Sequence, residues 1–475
     1  MAADGMAEVE LVELVDDAPA PGAGPDPAAV RHRRRLLRRW WPVPAAVLAG
    51  LVVWQALDGA GDDADAERRR ALPGVVATTV APPLTATAWG SASAADVLAA
   101  PVRSEDGLVV GAVRPGSGTS TDVVGLDPAT GAEVWRLAIA APPRPGGFVL
   151  VPACSGGTDP ARVLWCTVTD GSAPGAPGAE PTRLVRVDLV ERAVGQAEVL
   201  APGSAAVAVG SSVVVATSGP ETVDLVATDA VTGELRWRSA VPDPLGSSGG
   251  GAGPVLQVDG GHLLVGGLTR TWSLDAATGT VEASGPVLLV VRGDRLVEIM
   301  GSSRTRLRGA DGTGTVETDG QALQMAPDDG SAPDLVLVRV LDGTPLGLLR
   351  AVDAGTGAVV WEREGSGSAA TNHLLLDGVL YGSTSREVWA VDVASGAELW
   401  STPGEPGDAG RLMTDGVALL RTELVRDTGE RVLAAYALDD GRRAWATPLP
   451  AGVDQVWTQG GVLHGRGDPG VVTLD

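Results

Sequence analysis

The sequence predicts an all-β fold in which four-stranded antiparallel blades follow one another around a ring, preceded by one apolar N-terminal helix. Three observations lead there: a motif that returns about every 40 residues, short apolar segments grouped in fours between turn residues, and a single long apolar run behind a cluster of arginines.

Taken in chain order, residues 1–39 read as a disordered cytoplasmic tail, acidic and Pro/Ala-rich at first and ending in RHRRRLLRR. Residues 40–57 (WWPVPAAVLAGLVVWQAL) are long enough as a helix to cross a hydrocarbon core of about 30 Å. The arginines place its N-terminal end in the cytoplasm, and Trp40, Trp41 and Trp54 suit the two interfaces. The alternative is a signal peptide cleaved after the small residues that follow; either way the remainder is exported. Residues 58–85 lack a sustained apolar period and are expected to be a flexible spacer, so the folded body is expected over 86–475.

Composition excludes some partners. The 475 residues contain 36 basic residues, all arginine, against 59 acidic ones, a net charge of -23. A phosphate backbone repels such a surface, so no nucleic acid is expected. Gly 65 and Pro 34, with few helix-forming runs, suit many short strands joined by turns.

The repeat aligns on Asp127 (GLDPATGAEVW), Asp229 (ATDAVTGELRW), Asp275 (SLDAATGTVEA), Asp353 (AVDAGTGAVVW), Asp392 (AVDVASGAELW) and Asp439 (ALDDGRRAW). Weaker units at Asp188 and Asp311 fill the wide gaps. Residues 373–402 display one unit well: HLLLDG, VLYGST, EVWAVD and AELWST are four apolar segments broken by turn residues. The motif falls on the turn between the third and fourth segments. There the Asp can accept hydrogen bonds from main-chain N–H groups two or three residues on. The glycines Gly131, Gly233, Gly279, Gly357, Gly396 and Gly441 supply positive φ where the chain reverses. Trp135, Trp237, Trp361 and Trp400 lie eight residues after their Asp, and Trp445 six after Asp439, which reads as a shorter turn. Each indole buries on the order of 200 Å² and is expected to pin its blade to the next.

These residues resemble the tryptophan-docking repeat, A-x-D-x-x-T-G-x-x-x-W, of the pyrroloquinoline-quinone (PQQ) dehydrogenase-like propellers. That superfamily also holds the non-enzymatic lipoprotein of the outer-membrane barrel-assembly machine. The resemblance spans roughly residues 86–475 and implies a propeller of eight blades, within a range of seven to nine. Counting every unit gives nine; eight is preferred because the Asp188 and Asp311 units are degenerate and one is read as an insertion. The last unit stops at Asp475 with its fourth strand missing, so Trp89 in TATAWGSA is expected to supply that strand and close the ring.

Chemistry is sparse. The repeated carboxylates are read as turn formers spread around a ring. Cys154 and Cys166 flank a short loop between the first two strands of one blade, and in an exported protein they are expected to form a cross-strand disulfide. The enzymes of the resembled family carry an adjacent Cys-Cys pair over their cofactor, which this sequence lacks, and their calcium-binding and catalytic acids have no recognisable counterparts. No catalytic, metal or cofactor residue is therefore assigned. His262, His373 and His464 lie on inner strands of separate blades, and packing is preferred over a meeting in the central channel. The Gly-rich stretches 247–253 and 260–267 lack the sequence of a phosphate loop. The long loops 170–181 and 242–254 suit spacers as well as binding surfaces, and EVELVELVDD in the tail is read as solvated.

The expected function is a non-catalytic scaffold: a monomeric ring held to the cell membrane through residues 40–57 and exposed outside the cytoplasm. Its partner would be an envelope protein, a polymer or a small ligand. The alternatives are a divergent quinoprotein dehydrogenase using PQQ with Ca²⁺, and the ligand-sensing half of a signalling system.

Overall fold

The structure is a computed structural model. It describes residues 61, 63–90, 94–99, 101–113, 120–140, 153–156, 159, 161–168, 182–201, 203–242, 254–259, 261–266, 270–290, 296–300, 304–308, 315–340, 347–364, 373–384, 387–405, 412–467 and 470–475. The tail, the apolar segment 40–57, and Asp311 lie outside the described residues. Among the described residues no helix is long and apolar enough to cross a membrane.

One compact unit runs from Ala66 to Asp475. Its described residues form nine sheets, eight of four strands and one of five. In chain order the first spans Val102–Arg103 to Glu133–Ala140, the second Ala153–Ser155 to Ala193–Val199, and the third Ser204–Val209 to Leu235–Pro242. The fourth runs from Val255–Asp259 to Val281–Gly285, the fifth from Val287–Val290 to Thr315–Asp319, and the sixth from Gln321–Ala322 to Val359–Glu364. The seventh runs from His373–Leu376 to Glu398–Pro403, and the eighth from Met413–Thr414 to Arg443–Pro448. The ninth joins Val453–Gln459, Val462–Gly467 and Gly470–Leu474 to the distant strand Ala86–Gly90.

Each sheet is a meander whose strands alternate buried side chains between the two neighbouring sheets. Leu374 of the seventh packs against Leu419 and Tyr436 of the eighth, while Leu375 faces Leu337 and Leu349 of the sixth. Shared cores of this kind join the first sheet to the second, the second to the third, and the third to the fourth. They likewise join the fifth to the sixth and the eighth to the ninth, and strand 281–285 lies against 296–300 to link the fourth and fifth. Trp89 and Val471 of the ninth then pack on Val109 and Val124 of the first. The order returns to its start, which is a β-propeller.

The expected eight blades are corrected to nine. Neither degenerate unit is an insertion. The Asp188 unit builds the second sheet, and the residues flanking Asp311 pair as the third and fourth strands of the fifth sheet. Degeneracy weakens a motif without removing a strand, because strand formation rests on alternating burial and not on the turn signature.

Closure follows the register Ala86↔Leu474, Thr87↔Thr473 and Ala88↔Val472, extended by Thr85 N donating to Asp475 O at 2.8 Å. Trp89 is 2% exposed. The seventh sheet alone gains a fifth strand: Met325–Asp328, from the first loop of the sixth, lies parallel to His373–Leu376 on its inner edge.

Candidate interaction faces and the fate of the polar residues

Antiparallel meanders sort the connections. The turns between strands one and two and between three and four lie on one end of every sheet, the turn face. The second-to-third hairpins and the crossovers to the next sheet lie on the opposite face.

The motif residues build the turn face. Asp127 Oδ1 accepts Ala129 N at 2.9 Å, Thr130 N at 2.8 Å and Thr130 Oγ1 at 3.0 Å. Asp229, Asp275, Asp353 and Asp392 accept the same N–H of the third residue on, at 2.7–2.8 Å. Such bonds favour the ionised form: those from Thr130 hold Asp127 below the ordinary carboxylate range, those from Thr278 do so for Asp275, and those from Ser395 for Asp392. These carboxylates are occupied locally, one per sheet, and do not converge.

The glycines have a second task. Gly396, at φ +70, lies under the indole of Trp361, and a Cβ there would clash with the Cβ and the adjoining ring atoms of that tryptophan. Gly441 stands in the same relation to Trp400 and Gly279 to Trp237, while a Cβ at Gly131 would collide first with the main-chain carbonyl of Trp89 and then with its indole. The indole N–H then reaches a main-chain oxygen of the same turn: Trp361 to Val393 O at 2.8 Å, Trp400 to Leu438 O at 3.0 Å, Trp237 to Ala276 O at 3.2 Å and Trp89 to Pro128 O at 2.9 Å. Each tryptophan is thus seated on the next sheet's turn. Trp89 does for the ninth sheet what Trp400 does for the seventh. Trp135 and Trp445 are half-buried in the cores toward the second and ninth sheets.

One alignment is corrected. Asp439 does not occupy the position of Asp127. Gly441 N donates to Ala437 O, and Ala437 N to Arg442 O, the pattern made by Gly131, Asp127 and Ala132. The eighth sheet's turn therefore has the full length with Ala437 in the Asp place. Asp440 Oδ1 caps Arg442 N at 2.8 Å instead. The second sheet departs otherwise: Asp188 Oδ1 takes Val190 N and Glu191 N, and the glycine position is held by Arg192 at φ 52.

Cys154 and Cys166 face each other in register on the first two strands of the second sheet and form a disulfide. The histidines stay apart. His262 bonds Glu282 at 2.7 Å. His373 is buried against Trp389 with neither ring nitrogen partnered, and burial holds it down at about 4. His464 lies between Trp89 and Trp457, likewise lowered to about 4 by burial, against a bond to Gln459 that raises it. Among the described residues no group of three or more His, Cys, Asp or Glu side chains is placed to hold a metal ion.

Sequence reasoning passed over two features. The first is a buried charged network in the eighth sheet: Glu423, with its side chain fully buried, accepts from Tyr436 Oη and from Arg443 Nη2 at 2.9 Å. Beside it Arg421 reaches the main-chain oxygens of Glu387 and Glu405. The signal was an Arg and a Glu inside the strand ALLRTEL. Burial first, and then the Glu423 bond, push the Tyr436 phenol up.

The second is the expected spacer, which is structured from residue 66 on and crosses the turn face. Residues 66–70 are helical; Arg69 Nε and Arg68 Nη2 hold Asp377 at 2.6 and 3.0 Å, and Arg70 Nε donates to Asp415 O at 3.0 Å. Burial alone would raise the Asp377 carboxyl, but the two arginines hold it below its ordinary value. The chain then runs over the eighth and ninth sheets through Val76 N to Thr414 O, Ala77 N to Gly461 O and Val80 N to Asp415 Oδ2. Val75, Val76 and Val80 are 1%, 1% and 4% exposed. This strap occupies the turn face of sheets seven to nine.

Comparison with known proteins supplies the family. Residues 122–332 and 330–462 match the family described as outer membrane protein assembly factor BamB. Among solved structures, BamB from Moraxella catarrhalis is similar at 17% identity, covering 79% of this chain and 95% of that one, with a TM-score of 0.39. The quinohemoprotein alcohol dehydrogenase of Comamonas testosteroni is similar at 14% identity, 82% and 76% coverage and a TM-score of 0.37. The quinohemoprotein alcohol dehydrogenase ADHIIG of Pseudomonas putida HK5 follows at 14%, 77% and 69%, and 0.34. No curated protein matches the chain.

Proposed function

The chain belongs to the family of the outer membrane protein assembly factor BamB, and from that premise we propose that its ring is a non-catalytic scaffold for protein partners in the cell envelope. Residues 40–57 tether it to a membrane, with residues 1–39 on the cytoplasmic side and the ring outside. The observation that carries this reading is how the repeat uses its polar groups. The motif carboxylates are taken up by their own turns, and Glu423 by Tyr436 and Arg443. What the repeat builds is a rigid ring whose strap already covers part of one face, leaving the opposite face and the outer rim for partners.

Crosslinking of the full chain in intact cells, followed by mass spectrometry, is expected to trap envelope proteins through the ring. A quinoprotein dehydrogenase predicts instead that PQQ with Ca²⁺ raises the melting temperature of the purified protein, since a ligand that binds only the folded state stabilises it. Dye-linked oxidation of alcohols or sugars under those conditions would overturn the scaffold reading.

A further inference from the structure

The outermost strand of the second sheet, Ala193–Val199, is unlike the other outermost strands. All six of its residues whose exposure the structure describes, Gly195 among them, are exposed, with Val194 at 40% and Val199 at 62%. Every other outermost strand has at least one buried or half-buried residue that seats it on a neighbour. In sheets one, three, six, seven and eight that residue is the tryptophan four positions after the turn glycine. Counted from Arg192, the same position here is Gln196. Those five strands also carry an Arg or a Pro, the residues that deter edge pairing, whereas AVGQAEV has neither. A bulge lies beside Gly195 and Gln196, but most other outermost strands share it.

The strand pairs on one side only, with Arg183–Asp188, so its other side presents a row of main-chain N–H and C=O groups. Charge indicates what fits. Arg192 is engaged by Asp106 and Arg186 by Asp188, while Glu191 and Glu198 make no ion pair among the described residues. The whole chain carries -23, which draws a basic partner and opposes a second copy.

We propose that this edge takes up an extended, basic segment of a partner protein as an added strand, main-chain bonds supplying the affinity and Glu198 and Glu191 the preference for Lys or Arg. This deepens the scaffold reading and rests on it.

The test is amide hydrogen exchange read by mass spectrometry on the full chain, with a short synthetic peptide alternating valine and lysine and its valine–glutamate counterpart as probes. The basic peptide is expected to slow exchange across 193–199 and to leave Glu133–Ala140 unchanged, while the acidic one does nothing. Glu198→Lys is expected to abolish the protection with the melting temperature unchanged, because the residue is exposed. The proposal is overturned if neither peptide protects the strand, if both do equally, if other outermost strands respond alike, or if protection grows with protein concentration alone, which would mean pairing between copies. Crosslinks from a partner to some other part of the ring would discard the edge and keep the scaffold.

Discussion

In the seventh sheet the turn is closed by Asp392, opened to positive φ by Gly396 and covered by the indole of Trp361, while its own Trp400 covers the next turn. In the second sheet Asp188 makes the same main-chain bonds, yet Arg192 stands for the glycine, Gln196 for the tryptophan, and a disulfide ties the inner strands instead. Turn and clamp are therefore separable. The turn forms without the glycine or the tryptophan; the indole on glycine adds a clamp at the junctions that have both, beside the shared apolar cores. In the second sheet the clamp is missing, the outer strand stands exposed, and a disulfide ties the two innermost strands.

Removing the clamp tests this most severely. Trp400→Ala is expected to lower stability by about 3–5 kcal/mol in chemical denaturation, as for other large buried aromatics. Gly441→Ala should also destabilise, because its Cβ would clash with the Trp400 ring, but much less once the ring is gone. A double-mutant cycle with additive effects would mean that the two do not touch. The equivalent loss in the second sheet is Cys154→Ala with Cys166→Ala, expected to cost about 3 kcal/mol for a loop of this size.

Acid should reach the seventh sheet before the second, which has no histidine. His373 is lowered from 6.5 to about 4, so the folded protein binds fewer protons than the unfolded chain. Its contribution is fully present above pH 6.5 and fades as pH falls toward 4, by about 2 kcal/mol at pH 5. Denaturation midpoints of His373→Phe should depend less on pH in this window than those of the parent; equal slopes would remove His373 as the cause. The smallest effect is expected from Asp392→Ala, at most about 1 kcal/mol, since an exposed turn trades its bonds for water. Asp188→Ala should cost as much, if the turn is independent of the clamp.

The fold was legible because its repeat is written in residues with strict conformational roles. Trp89 was recognisable as the missing tryptophan, and Cys154 with Cys166 as a cross-strand pair, from spacing and compartment. The ninth blade is countable but reads as an insertion, because the Asp188 and Asp311 units are degenerate, and that Arg192 holds the glycine position of the first is shown only by backbone geometry. Asp439 misled because a neighbouring acid mimics the motif two residues out of place. The strap escaped notice for another reason: Val75, Val76 and Val80 are too few to form a period, and their burial depends on sheets encoded more than 300 residues later. Of the candidate surfaces, the exposed edge at 193–199 was readable only as an absence of tryptophan.

The pairing of Ala86–Gly90 with Gly470–Leu474 also sets an order of events during synthesis. The strand made first has no partner until the one near the other end of the sequence leaves the ribosome, so the ring cannot close as it is translated. Until then Ala86–Gly90 and the face of the first sheet that receives Trp89 are open to wrong partners, and contacts this distant in sequence form slowly. Closure is thus the last step of folding, and it joins strands from opposite ends of the ring's sequence.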